Sequence, residues 1–164
     1  MQSDNTPLTN LEETRQAMLA LLEMTRRSLH LYTPCVEPRL FNDMQILDAL
    51  RSRVSGQPRL CCHWLLPPAV AWRTTCPQLL DLHERLSSAL ELRTPPQNEP
   101  RERPEFEQTF FIADSRILLH QADPGNFIGS FELTGSGKLR TLQNFFKELW
   151  NKSVSDPELR RLHL

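Results

Sequence analysis

The chain has 164 residues, of which 24% are charged, and a formal net charge of −1. That length suits one domain able to bury about two-thirds of its unfolded surface, and the near-neutral balance argues against a partner held by bulk electrostatics, such as non-specific DNA or an anionic membrane. Four cysteines are too few for a disulfide-stapled secreted scaffold, and neither a signal region nor an apolar run of the ~20 residues that span a bilayer is visible, so the expectation is a cytoplasmic protein.

Residues 1–8 read as a flexible N-terminus and residues 9–164 as one domain. A first helix is expected to open at Thr9, with Glu12 three residues on as in a capping box. Leu11, Met18, Leu21, Leu22 and Thr25 fall on its inner face. Residues 28–33 read as a strand that Pro34 ends. Asn42 is placed to cap a second helix, with Ile46, Leu47, Leu50 and Val54 on one side and Gly56 at its end.

The run at 59–66, RLCCHWLL, is apolar on both faces, as in a buried central strand. Pro77 stands where a first-turn proline belongs, ahead of a helix with Leu79, Leu82 and Leu86 aligned. Residues 89–94 alternate like a strand. This α-β-α-β-α-β order favours right-handed crossovers and a parallel sheet. Residues 94–104, TPPQNEPRERP, are proline-rich and charged, which predicts an exposed loop. Two apolar runs around Asp114-Ser115-Arg116 then read as a hairpin. One more strand is expected within 125–133, followed by a long helix with Leu139, Leu142, Phe145, Phe146, Leu149 and Trp150 inward. Asp156 caps a short terminal helix.

Taken together, SLHLYTP, RLCCHWLL, LLDLHERLSSALELRT and FIADSRILLHQADPGNFIGSFEL resemble one half of a phospholipase D-like domain of a bacterial type, over about residues 9–153. The resemblance implies an α/β fold with a mixed, largely parallel sheet flanked by helices. It also implies a site. Members acting on phosphodiesters carry His-x-Lys-x4-Asp, where the histidine attacks or carries a proton and the lysine neutralises phosphate. With Asp114 as the aspartate, Glu107 and Thr109 stand where the histidine and lysine belong. The Gly-Ser-x-Asn continuation becomes Gly129-Ser130-Phe131-Glu132. A pocket gathering Glu107, Asp114 and Glu132 without a motif cation would repel a phosphodiester by ~1 kcal/mol or more per close pair, and it lacks the nucleophile and positive charge of phosphoryl chemistry. The expectation is that no residue is catalytic and that Glu107, Thr109, Asp114, Ser130 and Glu132 are vestigial motif positions.

Other signals are weaker. The three carboxylates would suit a hard divalent cation if they converged, yet a solvated cleft explains them better, and neither a metal nor a cofactor is expected. His30, His63 and His120 lie inside apolar strands as sheet-face residues, and no zinc spacing exists. The thiols of Cys35, Cys61, Cys62 and Cys76 read as free. Gly135-Ser136-Gly137-Lys138 is a loop-to-helix entry, with anion binding the sharper alternative. Arg101, Arg103, Lys138, Arg140, Arg160 and Arg161 are mixed with acids and lack stacking aromatics, which makes nucleic acid a weak candidate. Trp64 and Trp72 flank a Pro-Pro step; an exposed Trp72 would point to a contact surface, and packing against the proline loop is the equal alternative.

The leading reading is a non-catalytic interaction or accessory module that forms a homodimer or takes a protein partner, because lone halves of this group pair across the motif face. Phe106, Phe110 and Phe127 would supply the buried area of that contact. Similar domains also occur beside acyltransferase-type domains. The alternatives are a hydrolase rewired around Glu107, Asp114 and His120, and a nucleic-acid-binding remnant.

Overall fold

The computed structural model describes residues 5–161. Its strands are β1 (Asn5–Leu8), β2 (Ser28–Tyr32), β3 (Cys61–Leu65), β4 (Leu90–Arg93), β5 (Thr109–Ala113), β6 (Ile117–Asp123) and β7 (Ile128–Glu132). They form one sheet in the order β1-β7-β6-β5-β2-β3-β4. The helices are α1 (Leu11–Met24), α2 (Pro38–Phe41), α3 (Met44–Gly56), α4 (Pro77–Arg85), α5 (Gly137–Lys152) and α6 (Pro157–Arg161).

The predicted α-β-α-β-α-β stretch is α1-β2-α3-β3-α4-β4, and its three strands are parallel neighbours. Every other pairing is antiparallel, so the sheet is mixed but less parallel than the first half of the sequence suggested. Short connections after β5 force this for β5–β6 and β6–β7, since a parallel return needs a crossover of a dozen residues or more. Asp114 and Ser115, with φ of 56° and 55°, make the β5–β6 turn. The loop is three residues long, 114–116, and its two left-handed residues stand at the centre of a tight turn in which the Arg116 amide donates to the Ala113 carbonyl at 3.0 Å.

The apolar runs divide between two cores. Leu21, Leu22, Leu47, Leu50 and Leu79 from α1, α3 and α4 bury against Leu29, Leu31, Cys62, Trp64 and Phe111. On the other face α5 packs Leu142, Phe145, Phe146 and Leu149 against Tyr32, Leu65, Phe110 and Ile112. The strand at 59–66 is not central. It is β3, second from one edge, and the middle position belongs to β5, whose five residues are all buried. Trp72 is also buried, at 1% exposure, with its Nε1–H donating to the Pro67 carbonyl.

Local signals were displaced by a residue in two places. Asn10, not Thr9, caps α1 by accepting from the Glu13 amide, and the Glu13 carboxylate returns to the Thr9 amide at 2.8 Å. Asp43 caps α3, while Asn42 accepts from the Gln78 amide in the first turn of α4. Gly56 does end α3, without a left-handed backbone.

Asn5–Leu8 is not a loose tail but strand β1, antiparallel to β7, with Leu8 buried; residues 1–4 lie outside the described residues. At the other side of the sheet, β4 is followed by a bridge between Thr94 and Val154, which lays the C-terminal segment along it. The 94–104 loop is exposed beyond Pro95, and it is tied to α5 by Lys152–Glu99 and Arg103–Glu148 ion pairs of 3.0 Å.

Candidate functional site

Because β5 runs antiparallel to β2, the start of β5 lies beside the C-terminal ends of the parallel strands, the usual ligand edge of an open α/β sheet. Two of the motif positions stand there. Glu107 is exposed at the end of a short turn, Pro104–Glu107. Thr109 is the first residue of β5 and only 1% exposed; its hydroxyl lies 2.8 Å from that of Thr33, which follows β2 and donates to the Cys35 carbonyl. Opposite Thr109 in register is Gln121, 2% exposed, whose Nε2 makes no hydrogen bond. Thr33 and Gln121 carry no sequence signal of their own; only strand register brings them to Thr109.

The other three motif positions are elsewhere. Asp114 sits at the far end of β5, seven residues from Glu107 and roughly 23 Å away for an extended strand. Its carboxylate accepts from the backbone amides of Arg26, Arg27 and Ser28 at 2.6–3.2 Å, closing the entry to β2. These bonds fasten the hairpin turn to the loop after α1.

Ser130 and Glu132 are on β7, and their side chains turn toward the α5 face, opposite to Thr109. There they meet His120, Gln108 and Lys138. Lys138 Nζ donates to Ser130 Oγ at 3.3 Å and lies 3.9 Å from Glu132 Oε2, while Asn5 Nδ2 donates to Glu132 Oε1 at 3.2 Å. His120 is 2.9 Å from the Gln108 amide oxygen. Burial, with help from the Lys138 charge, holds its pKa down at about 4, so the imidazole is neutral at pH 7. Lys138 had stood out in the sequence only as part of a glycine-bracketed helix start; here it supplies a cation to this group.

The expected convergence of Glu107, Asp114 and Glu132 therefore does not occur. They occupy two ends and two faces of the sheet, and among the described residues no group of three His, Cys, Asp or Glu side chains is arranged to hold a metal ion. Phe106, Phe110 and Phe127, expected to cover a partner, are 6%, 0% and 5% exposed and belong to the chain's own interior. Gly129 has a packing role. A Cβ there would stand 1.8 Å from the His120 carbonyl oxygen, so only glycine admits the β6–β7 approach.

His30 and His63 behave as sheet-face residues, and His83 is buried on α4. His30 stacks on Phe146 and His63 on Trp150, with ring centroids 4.7 and 4.4 Å apart. Burial brings the His30 pKa to about 4. Cys61 Sγ is 3.1 Å from His63 Nε2, but burial and then Glu91 push its pKa up, leaving a thiol rather than a thiolate. Cys61 faces solvent and its neighbour Cys62 is buried, the opposite-face arrangement expected of adjacent strand residues; all four cysteines are free. His163 lies outside the described residues.

This architecture is a phospholipase D-like fold. NucT from Helicobacter pylori superposes with a TM-score of 0.61 at 11% identity, covering 92% of this chain and 98% of that one. Nuc from Salmonella typhimurium, a phospholipase D family member, gives 0.57 at 12% identity, covering 86% and 89%. TrmBL2, an archaeal chromatin protein with a novel mode of DNA binding, gives 0.59 at 15% identity; it covers 92% of this chain, which spans only 53% of TrmBL2. At these identities the likeness is one of fold. The chain itself belongs to the family described as a domain of unknown function, DUF7931, which matches residues 10–162. No protein of curated function matches it. Among the described residues no helix is long and apolar enough to cross a membrane.

Proposed function

We propose that this chain is a non-catalytic phospholipase D-like interaction module whose motif edge docks a protein, in the first place a second copy of itself. The observation that carries the reading is the make-up of that edge. Glu107 and Thr109 stand at the histidine and lysine positions, and Thr109 is committed to Thr33 inside the fold. A phosphodiester at this edge would meet neither a nucleophile nor a charge-neutralising cation from these positions, and both are needed for phosphoryl transfer. The motif is degenerate in this reading, and the ancestral chemistry is lost.

What the edge offers instead is apolar surface. Five large hydrophobic side chains are exposed among the described residues, and four of them, Met44, Val70, Ile128 and Val154, stand at this end of the sheet. Each begins or follows an element at the C-terminal ends of β2, β3, β4 or β6. Apolar groups gathered at one end mark contact surfaces better than the same groups scattered singly. A twofold pairing would use the same patch on both chains. The rewired hydrolase gains no support, because its carboxylates are apart.

Light scattering at micromolar concentration, together with turnover of bis-p-nitrophenyl phosphate, tests this directly. The expected result is a dimer without turnover, reduced to monomer by Val70→Glu with Ile128→Glu. A monomer whose apolar edge captures no second copy overturns the assembly, and turnover lost in Glu107→Gln overturns the absence of chemistry.

A further inference from the structure

The edge opposite the motif has a different character. Among the described residues, eight basic side chains join no ion pair: Arg26, Arg27, Arg53, Arg59, Arg101, Arg116, Arg140 and Lys147. Apart from Arg101, all of them belong to elements that meet at the N-terminal edge of the parallel strands. Arg26 and Arg27 enter β2, Arg59 enters β3, Arg53 ends α3, Arg116 leaves the β5–β6 turn, Arg140 lies in the first turn of α5, which starts at this edge, and Lys147 lies two turns further along that helix.

Hydrogen bonds knit these residues into one surface. The Arg26 and Arg53 guanidiniums donate to the same Glu23 carbonyl, at 2.7 and 2.6 Å. The Arg27 carbonyl accepts from Cys61, two residues past Arg59. Asp114, two residues before Arg116, binds the Arg26 and Arg27 amides, and Ser115 accepts from Gln143 on α5 between Arg140 and Lys147. Against the cations stand Glu23, Glu84 and the amide-bound Asp114. The unpaired acids Glu102, Glu107 and Asp123 are at the other edge, which is how a net charge of −1 conceals a basic face.

Helix-end electrostatics accounts for Arg26 and Arg53, which sit over the carbonyl ends of α1 and α3. It accounts for none of the remaining five. Arg140 stands in the first turn of α5, where a cation opposes the helix dipole, and that turn holds no acid. Arg27, Arg59, Arg116, Arg140 and Lys147 make no side-chain hydrogen bond or ring contact either. These five exposed cations are free to meet a counterpart from outside the fold.

We infer that this edge binds the phosphate backbone of duplex nucleic acid. Six of the seven cations are arginines, whose planar fork matches phosphate oxygens two at a time. Among the described residues none of the exposed large apolar side chains is aromatic, so the edge shows no stacking platform of the kind that single strands use. Leu133 alone among them stands here, too little apolar surface for seating in a membrane interface. The inference goes beyond the module proposed above, since it concerns another edge and another class of partner.

The test is fluorescence anisotropy with a labelled 20-base-pair DNA duplex from 50 to 300 mM NaCl, alongside a single-stranded 20-mer and phosphatidylserine vesicles. Duplex binding is expected, with a slope of log K against log salt between about −3 and −6. Arg27→Ala with Arg59→Ala and Arg116→Ala should lower affinity at least tenfold and flatten the slope by about 2 to 3. Arg140→Ala with Lys147→Ala, on the solvent face of α5, should do the same more weakly without touching the sheet. Arg103→Ala with Lys152→Ala, at the motif edge, should change neither quantity. The inference is overturned by absence of duplex binding at 50 mM NaCl, by equal losses in the motif-edge variant, or by preference for the single strand or the vesicles.

Discussion

The hydroxyls of Thr33 and Thr109 stand 2.8 Å apart, each on a residue only 1% exposed, at the place where the resemblance puts a lysine. Thr109→Val keeps the shape and removes the bond, and it should cost about 1 kcal/mol in urea denaturation. Thr109→Lys buries an ammonium without a partner and should cost several kcal/mol. Restoring the motif through Glu107→His with Thr109→Lys should yield unstable protein rather than a phosphodiesterase. A stable, active double variant would show that the edge retains an open site.

Asp114 should behave as a fastener. Asp114→Ala leaves three backbone amides to find other acceptors and is expected to destabilise the fold by about 2–3 kcal/mol. Asp114→Asn should lose less, because asparagine still accepts and tolerates the left-handed φ of 56°. Equal losses in the two variants would count against the hydrogen-bonding role.

Stability should fall on mild acidification. His30 and His120 are held at about 4 by burial against an ordinary value of 6.5, so the unfolded chain takes up their protons first. The stability is complete above about pH 6.5 and is lost as pH drops toward 4, at up to about 1.4 kcal/mol per unit for each histidine. Guanidinium titrations at pH 7.5 and 5 measure it, and His120→Gln with His30→Gln should flatten the dependence. An unchanged slope in that pair of substitutions would assign the effect to other groups.

Gly129→Ala should prevent soluble folding. The added carbon meets the backbone of His120 at 1.8 Å, and backbone on both sides cannot give way as a flexible side chain can. Recovery of a protein with wild-type melting would mean that β6 and β7 separate at no cost.

Much of the fold was legible in the sequence because its signals are local. Pro77 opens α4, the spacing of Leu139, Leu142, Phe145, Phe146 and Leu149 gives the inner face of α5, and Asp114-Ser115 marks the hairpin. The rank of β3 in the sheet was not legible, since an apolar run reports burial on two faces and not distance from an edge. The site suffered most. Counting residues placed Glu107, Asp114 and Glu132 in one pocket, but a strand carries its ends apart and alternates its faces, and only register decides who meets. The basic edge escaped for the same reason. Its cations are spread from Arg26 to Lys147, and no window of sequence contains more than two of them together.

The margins of the sheet limit how the chain can meet others. On one side β1 is four residues long and includes Pro7, which has no N–H to offer. On the other, the Thr94–Val154 bridge draws the C-terminal segment over the β4 margin. Neither side presents a long row of free amides and carbonyls on which an incoming strand might lengthen the sheet. Copies of this chain are thus protected from runaway strand-by-strand polymerisation.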